Sequence, residues 1–127
     1  MNINISNITP IKTPEEIMKL YPASHSIQQF IFDTRTLIEK ILSGEKTRKI
    51  VVVGPCSIHD INSALEYAKK LIAFQNNFPN LLIIMRVYFE KPRTTTGWKC
   101  FINDPDLDNT NDINKGLILA RKLLLDI

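Results

Sequence analysis

Two short segments of this 127-residue chain carry residue types that can do chemistry. The first is Gly54-Pro55-Cys56-Ser57-Ile58-His59-Asp60, directly after the apolar run Ile50-Val51-Val52-Val53. Gly54 and Pro55 stiffen a tight turn and aim the Cys56 side chain past the end of that run. A thiolate there can bind a soft or borderline metal, or act as a nucleophile. The competing reading of Cys56 is a small buried hydrophobe, which is how most free cysteines behave. His59 makes a weak partner for Cys56 in a metal site, because the chain offers no second pair of that kind. A loop histidine bonded to backbone is the simpler reading of His59.

The second segment starts at Arg86 and continues through Glu90-Lys91-Pro92-Arg93-Thr94-Thr95-Thr96-Gly97-Trp98-Lys99. Arg86 falls inside the apolar stretch from Leu81 to Phe89, where a bare charge is costly without a partner. Arginine grips phosphate and carboxylate bidentately, and lysine offers a compact point charge. Pro92 stiffens the turn, and the threonine hydroxyls add neutral donors. Together these groups suit a small substrate with two or more anionic groups. The alternative is a solvated charged loop containing an Arg–Glu pair, but an arginine inside an apolar strand favours a site. Trp98 reads as packing rather than as a stacking platform.

The elements that must position these segments follow from the patterning. Ile50 to Val53 is β-branched and wholly apolar, as expected of a strand buried on both faces. Ser63-Ala64-Leu65-Glu66 reads as a capping box opening a helix to about Gln75. Leu81 to Phe89 reads as a second strand, and Asp112 to Asp126 as a further helix with Leu117, Ala120, Leu123 and Leu124 available for burial. Strand, helix, strand, helix at this spacing predicts parallel βα units. The connection from Glu90 to Asn111 far exceeds the usual ~2–6 residues. Long loops at the carboxyl ends of parallel strands are where α/β proteins place active sites.

Ahead of these units, residues 1–12 read as an extended arm. Thr13-Pro14-Glu15-Glu16 then predicts a capped helix start, ended by Tyr21-Pro22. A longer helix is expected from about Ser26 to Ser43. Its apolar stripe is Ile27, Phe30, Ile31, Leu37, Ile38, Ile41 and Leu42, a packing surface, with Gly44 as the stop. The chain thus divides into an arm with helices, 1–48, suited to oligomer contact or regulation, and an α/β part, 49–127.

Composition narrows the function classes. The chain is 44% hydrophobic and 23% charged with a formal net charge of +3, as in a globular domain. Basic residues are scattered rather than gathered in a stripe, which argues against nucleic acid. The two cysteines are too few for a secreted disulfide scaffold. The amino terminus has no signal-peptide pattern, and no apolar run approaches a membrane span. A cytoplasmic protein with reduced thiols is expected.

At this point the motifs become specific. GPCSIHD after a strand, MRVYFEKPRTTTGWK, INDPDLD and GLILARKLLLDI together resemble the type I 3-deoxy-D-arabino-heptulosonate 7-phosphate (DAHP) synthases, which open the shikimate pathway. The resemblance runs from about Ile8 to the last residue. A related barrel enzyme, 3-deoxy-octulosonate 8-phosphate synthase, shares the Gly-Pro-Cys turn but lacks the Lys-Pro-Arg-Thr-Thr segment. Ile8-Thr9-Pro10, Ile38-Glu39-Lys40-Ile41-Leu42 and Asp104-Pro105-Asp106-Leu107 look most similar to the tryptophan-sensitive form.

The resemblance implies a (β/α)₈ barrel that condenses phosphoenolpyruvate with erythrose 4-phosphate using a divalent metal, with Mn, Fe, Co and Zn all plausible. By motif, Cys56 would be a metal ligand, and Arg86 and Lys91 would hold phosphoenolpyruvate, with Lys91 catalytic. Lys91, Pro92, Arg93 and Thr94 would surround erythrose 4-phosphate. A homo-oligomer and feedback by an aromatic amino acid, tryptophan in the closest form, are also implied.

Two departures stand beside it. A closed barrel needs roughly 200 residues or more, and only two strand–helix units are present, so an incomplete barrel preceded by a helical extension is expected. The family's other metal ligands (a His, a Glu and an Asp) lie on later strands, so the chain alone is expected to be inactive, as part of a longer synthase or as a truncated one. The alternative function is a relic or assembly module that binds only phosphorylated anions or a partner subunit. The second departure is Cys100, where family members have Gly. If that Gly serves a positive φ, the cysteine would strain the turn by about 1 kcal/mol.

Overall fold

A computed structural model of the chain describes residues 8–91 and 97–127. Their element order is α1 (Pro14–Leu20), α2 (His25–Leu42), β1 (Lys49–Val53), α3 (Ile61–Gln75), β2 (Leu81–Met85) and α4 (Ile113–Asp126). Each helix begins where a side chain can satisfy the free amides of its first turn. At α1 the capping box forms as expected. Thr13 Oγ1 accepts from the Glu16 amide at 3.3 Å, and Glu16 Oε2 accepts from the Thr13 amide at 2.7 Å. Ser24 Oγ caps α2 through the Ile27 amide at 3.2 Å, and Gly44 follows its end at φ +83°.

The start of α3 differs from the sequence expectation. Asp60, not Ser63, is the cap: its Oδ1 accepts from the Ser63 amide at 2.6 Å, so the helix begins three residues earlier, at Ile61. A carboxylate just before the helix is a stronger acceptor for those amides than a hydroxyl inside it. Asp112 caps α4 in the same way, through the Lys115 amide at 3.0 Å.

The two strands pair in parallel with Lys49 opposite Leu81 and Val53 opposite Met85, and α3 provides the crossover between them. A parallel pair needs such a crossover, which accounts for the strand–helix–strand spacing. β1 is not buried on both faces, contrary to its composition: Val52 is 63% exposed. Among the described residues the sheet has only these two strands, and the Val52 side chain stays open. β2 also ends at Met85, short of the expected Phe89. Arg86 therefore sits just past the strand rather than within it. Its amide still donates to the Val53 carbonyl at 2.8 Å, which carries the pairing one residue beyond the sheet.

The core lies between α3, α4 and the chain leaving β2. Leu123 is fully enclosed, with Ile58 and Ala64 buried beside it and Ile61, Leu65, Val87, Phe89 and Ile127 packed around them. Burying an aliphatic side chain of this size stabilises by roughly 1.5–3 kcal/mol. α4 also carries α1: Arg121 Nε donates to the Tyr21 carbonyl at 3.1 Å, and Lys122 Nζ lies 4.9 Å from the Tyr21 ring centre. Asn114 ties down the arm, accepting from the Lys12 amide at 2.8 Å and donating to the Pro10 carbonyl at 3.1 Å. The apolar stripe of α2 is only half covered. Leu37, Ile38 and Ile41 are half-buried in the half that meets β1, while Phe30 and Ile31 stand exposed. Among the described residues no helix is long and apolar enough to cross a membrane.

Candidate functional site at the carboxyl end of the sheet

The chains leaving β1 and β2 run side by side past the sheet. The Ile58 amide donates to the Tyr88 carbonyl at 2.7 Å, and Ser57, itself buried, turns its hydroxyl toward the Phe89 carbonyl at 3.4 Å. Gly54 makes this approach possible. A Cβ there would lie 2.3 Å from the Arg86 carbonyl oxygen, closer than any side chain can be accommodated.

Arg86 closes the arrangement. Its Nη1 donates to the Pro55 carbonyl at 2.6 Å and to the Cys56 carbonyl at 2.7 Å, and its guanidinium lies 4.4 Å from the Tyr88 ring centre. A glutamate partner, the alternative to an anion site, does not appear among these contacts. Two main-chain carbonyls and an aromatic face take that place, so the positive charge stays uncancelled at the mouth of the sheet. The same contacts hold the turn that carries Cys56. Cys56 is a free, exposed thiol, which removes the reading of it as a small buried hydrophobe. His59 is exposed, and Asp60 serves α3. Hydrogen bonds from the Ser63 side chain and amide hold the Asp60 carboxyl below its usual range.

The second segment is organised around a β-bridge between Glu90 and Cys100 in antiparallel sense. Beneath it the Phe101 amide donates to the Phe89 carbonyl at 3.3 Å, and the two phenyl rings stack at 5.9 Å. Lys91 leaves the bridge with Nζ 5.6 Å from the Trp98 ring centre. Trp98 Nε1 in turn donates to the Asp104 carbonyl at 2.7 Å. Asp104 is buried, its carboxylate accepting from the Asn109 amide at 3.1 Å. Trp98 thus packs, as expected, but it also faces a cation. Pro92, Arg93 and Thr94 lie outside the described residues.

Cys100 shows none of the expected strain. Positive φ among the described non-glycine residues occurs at Leu107, Asn109 and Asn111, not at Cys100. Cys100 occupies the bridge, where a side chain is at home, and its thiol lies 3.2 Å from Asn103 Oδ1. Sequence reasoning missed the roles of Tyr88 and Asp104, and it missed the carbonyl partners of Arg86. No local pattern announces a contact between residues some thirty positions apart, such as Arg86 with Pro55.

Among the described residues no group of three or more His, Cys, Asp or Glu side chains could hold a metal ion. Cys56 fits a metal centre as one accessible soft donor.

The model of the DAHP synthetase I family matches residues 13–125, nearly the whole chain. The chain belongs to this family. The Trp-sensitive phospho-2-dehydro-3-deoxyheptonate aldolase of Salmonella typhi is 50% identical over 126 residues, covering 98% of this chain and 36% of that protein. The Phe-sensitive enzyme of Escherichia coli K12 is 48% identical over 127 residues, again spanning 36% of its length. A solved structure of the aldolase from Francisella tularensis SCHU S4 superposes with a TM-score of 0.89 at 51% identity, over 97% of this chain and 36% of that one. The chain thus spans about a third of the length of the DAHP synthases it matches. Its four helices and parallel strand pair have the α/β arrangement of that family member.

Proposed function

We propose that this chain contributes the metal-ligating cysteine and part of the substrate cradle of a DAHP synthase, the enzyme that opens aromatic amino-acid biosynthesis. In that reaction the methylene carbon of phosphoenolpyruvate attacks the aldehyde carbon of erythrose 4-phosphate. Water adds at the neighbouring carbon, and inorganic phosphate leaves. The observation that carries the reading is the junction of two strand ends at one mouth. Arg86 holds the turn of Cys56 through two carbonyls while its charge remains available to an anion.

Each described residue has a task in this reading. Arg86 presents a guanidinium fork to the phosphate or carboxylate of phosphoenolpyruvate. Lys91, ahead of the Pro92-Arg93-Thr94 segment, supplies the point charge between the two substrates. Cys56 offers its thiolate to a divalent cation (Mn, Fe, Co or Zn), whose chemistry when bound is Lewis-acid polarisation of the aldehyde. Further ligands must come from other parts of the enzyme. The exposed face of β1 supports a larger sheet around this pair, as in a (β/α)₈ barrel whose first two units are residues 49–127. Residues 1–48, with the exposed apolar half of α2, would serve subunit contact or regulation. The Trp- and Phe-sensitive names of the relatives support an aromatic amino acid as effector.

The test is Cys56→Ala in a synthase containing this segment, with bound metal and phosphate release measured together. Metal content and turnover are expected to fall in parallel, by tenfold or more. Full turnover from metal-stripped protein would overturn the ligand role.

A further inference from the structure

We propose that Trp98 is a positioning residue that sets the place of the Lys91 ammonium, with Asp104 anchoring the indole from behind. The inference rests on the reading of Lys91 as a substrate-binding residue and adds how that residue is aimed. A lysine ends in a point charge on a flexible four-carbon stem, so by itself it samples many positions. A binding site needs the charge at one of them. An ion pair would fix it, but a carboxylate partner would also cancel the charge and compete with an anionic substrate. None of the ion pairs among the described residues involves Lys91, although Glu90 is its neighbour in sequence.

An aromatic face avoids that conflict. Nζ lies 5.6 Å from the Trp98 ring centre, inside the ~6 Å reach over which a ring attracts a cation. The ring carries no net charge, so the ammonium keeps both its charge and its donors for a phosphate. The ring is itself immobilised. Its Nε1 donates to the Asp104 carbonyl at 2.7 Å, and the Asp104 amide donates back to the Cys100 carbonyl at 3.0 Å. The Asp104 carboxylate is buried and held by the Asn109 amide. Gly97, at φ +90°, supplies the left-handed turn before the indole, which few other residues adopt. The bridge between Glu90 and Cys100 brings the chain at Lys91 back beside the segment that carries Trp98. Backbone, ring and cation thus form one relay from the buried Asp104 to the half-buried Lys91.

Two measurements test it. The first uses this chain and reads the Lys91 Hε proton resonances, assigned by their loss in Lys91→Ala. Over the indole face these protons should be shifted upfield. Trp98→Phe should keep part of the shift and Trp98→Leu should abolish it. Unshifted resonances in the unaltered chain overturn the proposal, whatever Lys91 does. The second uses a synthase containing this segment. Trp98→Leu should raise the KM for phosphoenolpyruvate about fivefold, a magnitude set by the usual strength of a cation–ring contact, with kcat changed less. Trp98→Phe, which keeps a ring face but loses the indole donor, should recover part of that loss. Equal defects in the two variants overturn the role of the ring. If Lys91→Ala leaves KM unchanged, the substrate role of Lys91 fails and this inference falls with it. If Lys91→Ala raises KM and Trp98→Leu does not, only the positioning role fails.

Discussion

The loops that follow β1 and β2 meet at the same mouth but are held by different means. The first is short. It is gripped from outside, by the Arg86 guanidinium on two of its carbonyls and by the approach of Gly54 to the Arg86 main chain. The second runs from the end of β2 to α4 and is held from within, by a β-bridge, an indole donor and a buried aspartate. A short loop has no side chains to spare for its own support, so the neighbouring strand must supply it. A long loop carries enough chain to build its own, at the cost of closure entropy. Chemistry divides accordingly: the short loop presents a thiol at a defined place, and the long one presents cations.

The sharpest way to break this comparison is Gly54→Ala. A Cβ would meet the Arg86 carbonyl oxygen at 2.3 Å, so β1 and the second chain would have to part. A loss of about 3 kcal/mol is expected, the upper range for overpacking, read as a lowered urea midpoint. A near-normal midpoint would show that the first loop does not depend on close main-chain approach. Gly97→Ala should cost less, about 1 kcal/mol, because the strain at φ +90° is local to one residue of a self-supported loop. A cost equal to that of Gly54→Ala would mean the two loops are coupled more tightly than their contacts indicate.

The smallest effect concerns the end of the first loop. The Asp60 carboxyl is held below its ordinary value of 3.8 by Ser63. Its folded-state value is lower than its unfolded one, so its contribution to α3 is complete above the ordinary carboxylate range. That contribution disappears as pH falls through the lowered value. Acid titration should therefore increase amide exchange in the first turn of α3 below about pH 4. Asp60→Asn, which can still cap, should remove that dependence. An unaltered acid limb in Asp60→Asn would show that the helix start is not the titrating element.

Much of this was legible beforehand, for reasons visible in single residues. Thr13-Pro14-Glu15-Glu16 forms the capping box that its spacing announces, because capping is a contact between near neighbours. Leu123 and Ala120 lie in the core because a helical period puts them on one face of α4. The Glu90–Asn111 connection, read as too long for a plain link, holds the Glu90–Cys100 bridge and the contact of Lys91 with Trp98. The errors also have physical causes. Ile50 to Val53 is as apolar as a fully buried strand, yet Val52 is open, because burial depends on what else packs against it. Arg86 looked like a charge inside a strand, since apolar composition continues to Phe89 after the pairing has stopped.

Residue identity alone determined the strand–helix alternation, the helix caps, the glycine before Cys56 and the family to which these motifs belong. All are local, and local energetics act over a few residues whatever the rest of the chain does. Only the tertiary structure decided that Arg86 is paired with carbonyls instead of a carboxylate, that Cys56 is exposed, and that Trp98 stands between a buried Asp104 and the charge of Lys91. Those outcomes depend on which segments the parallel pairing and the core bring together. Such long-range proximity follows from the packing of the whole and has no signature in the spacing of neighbouring residues.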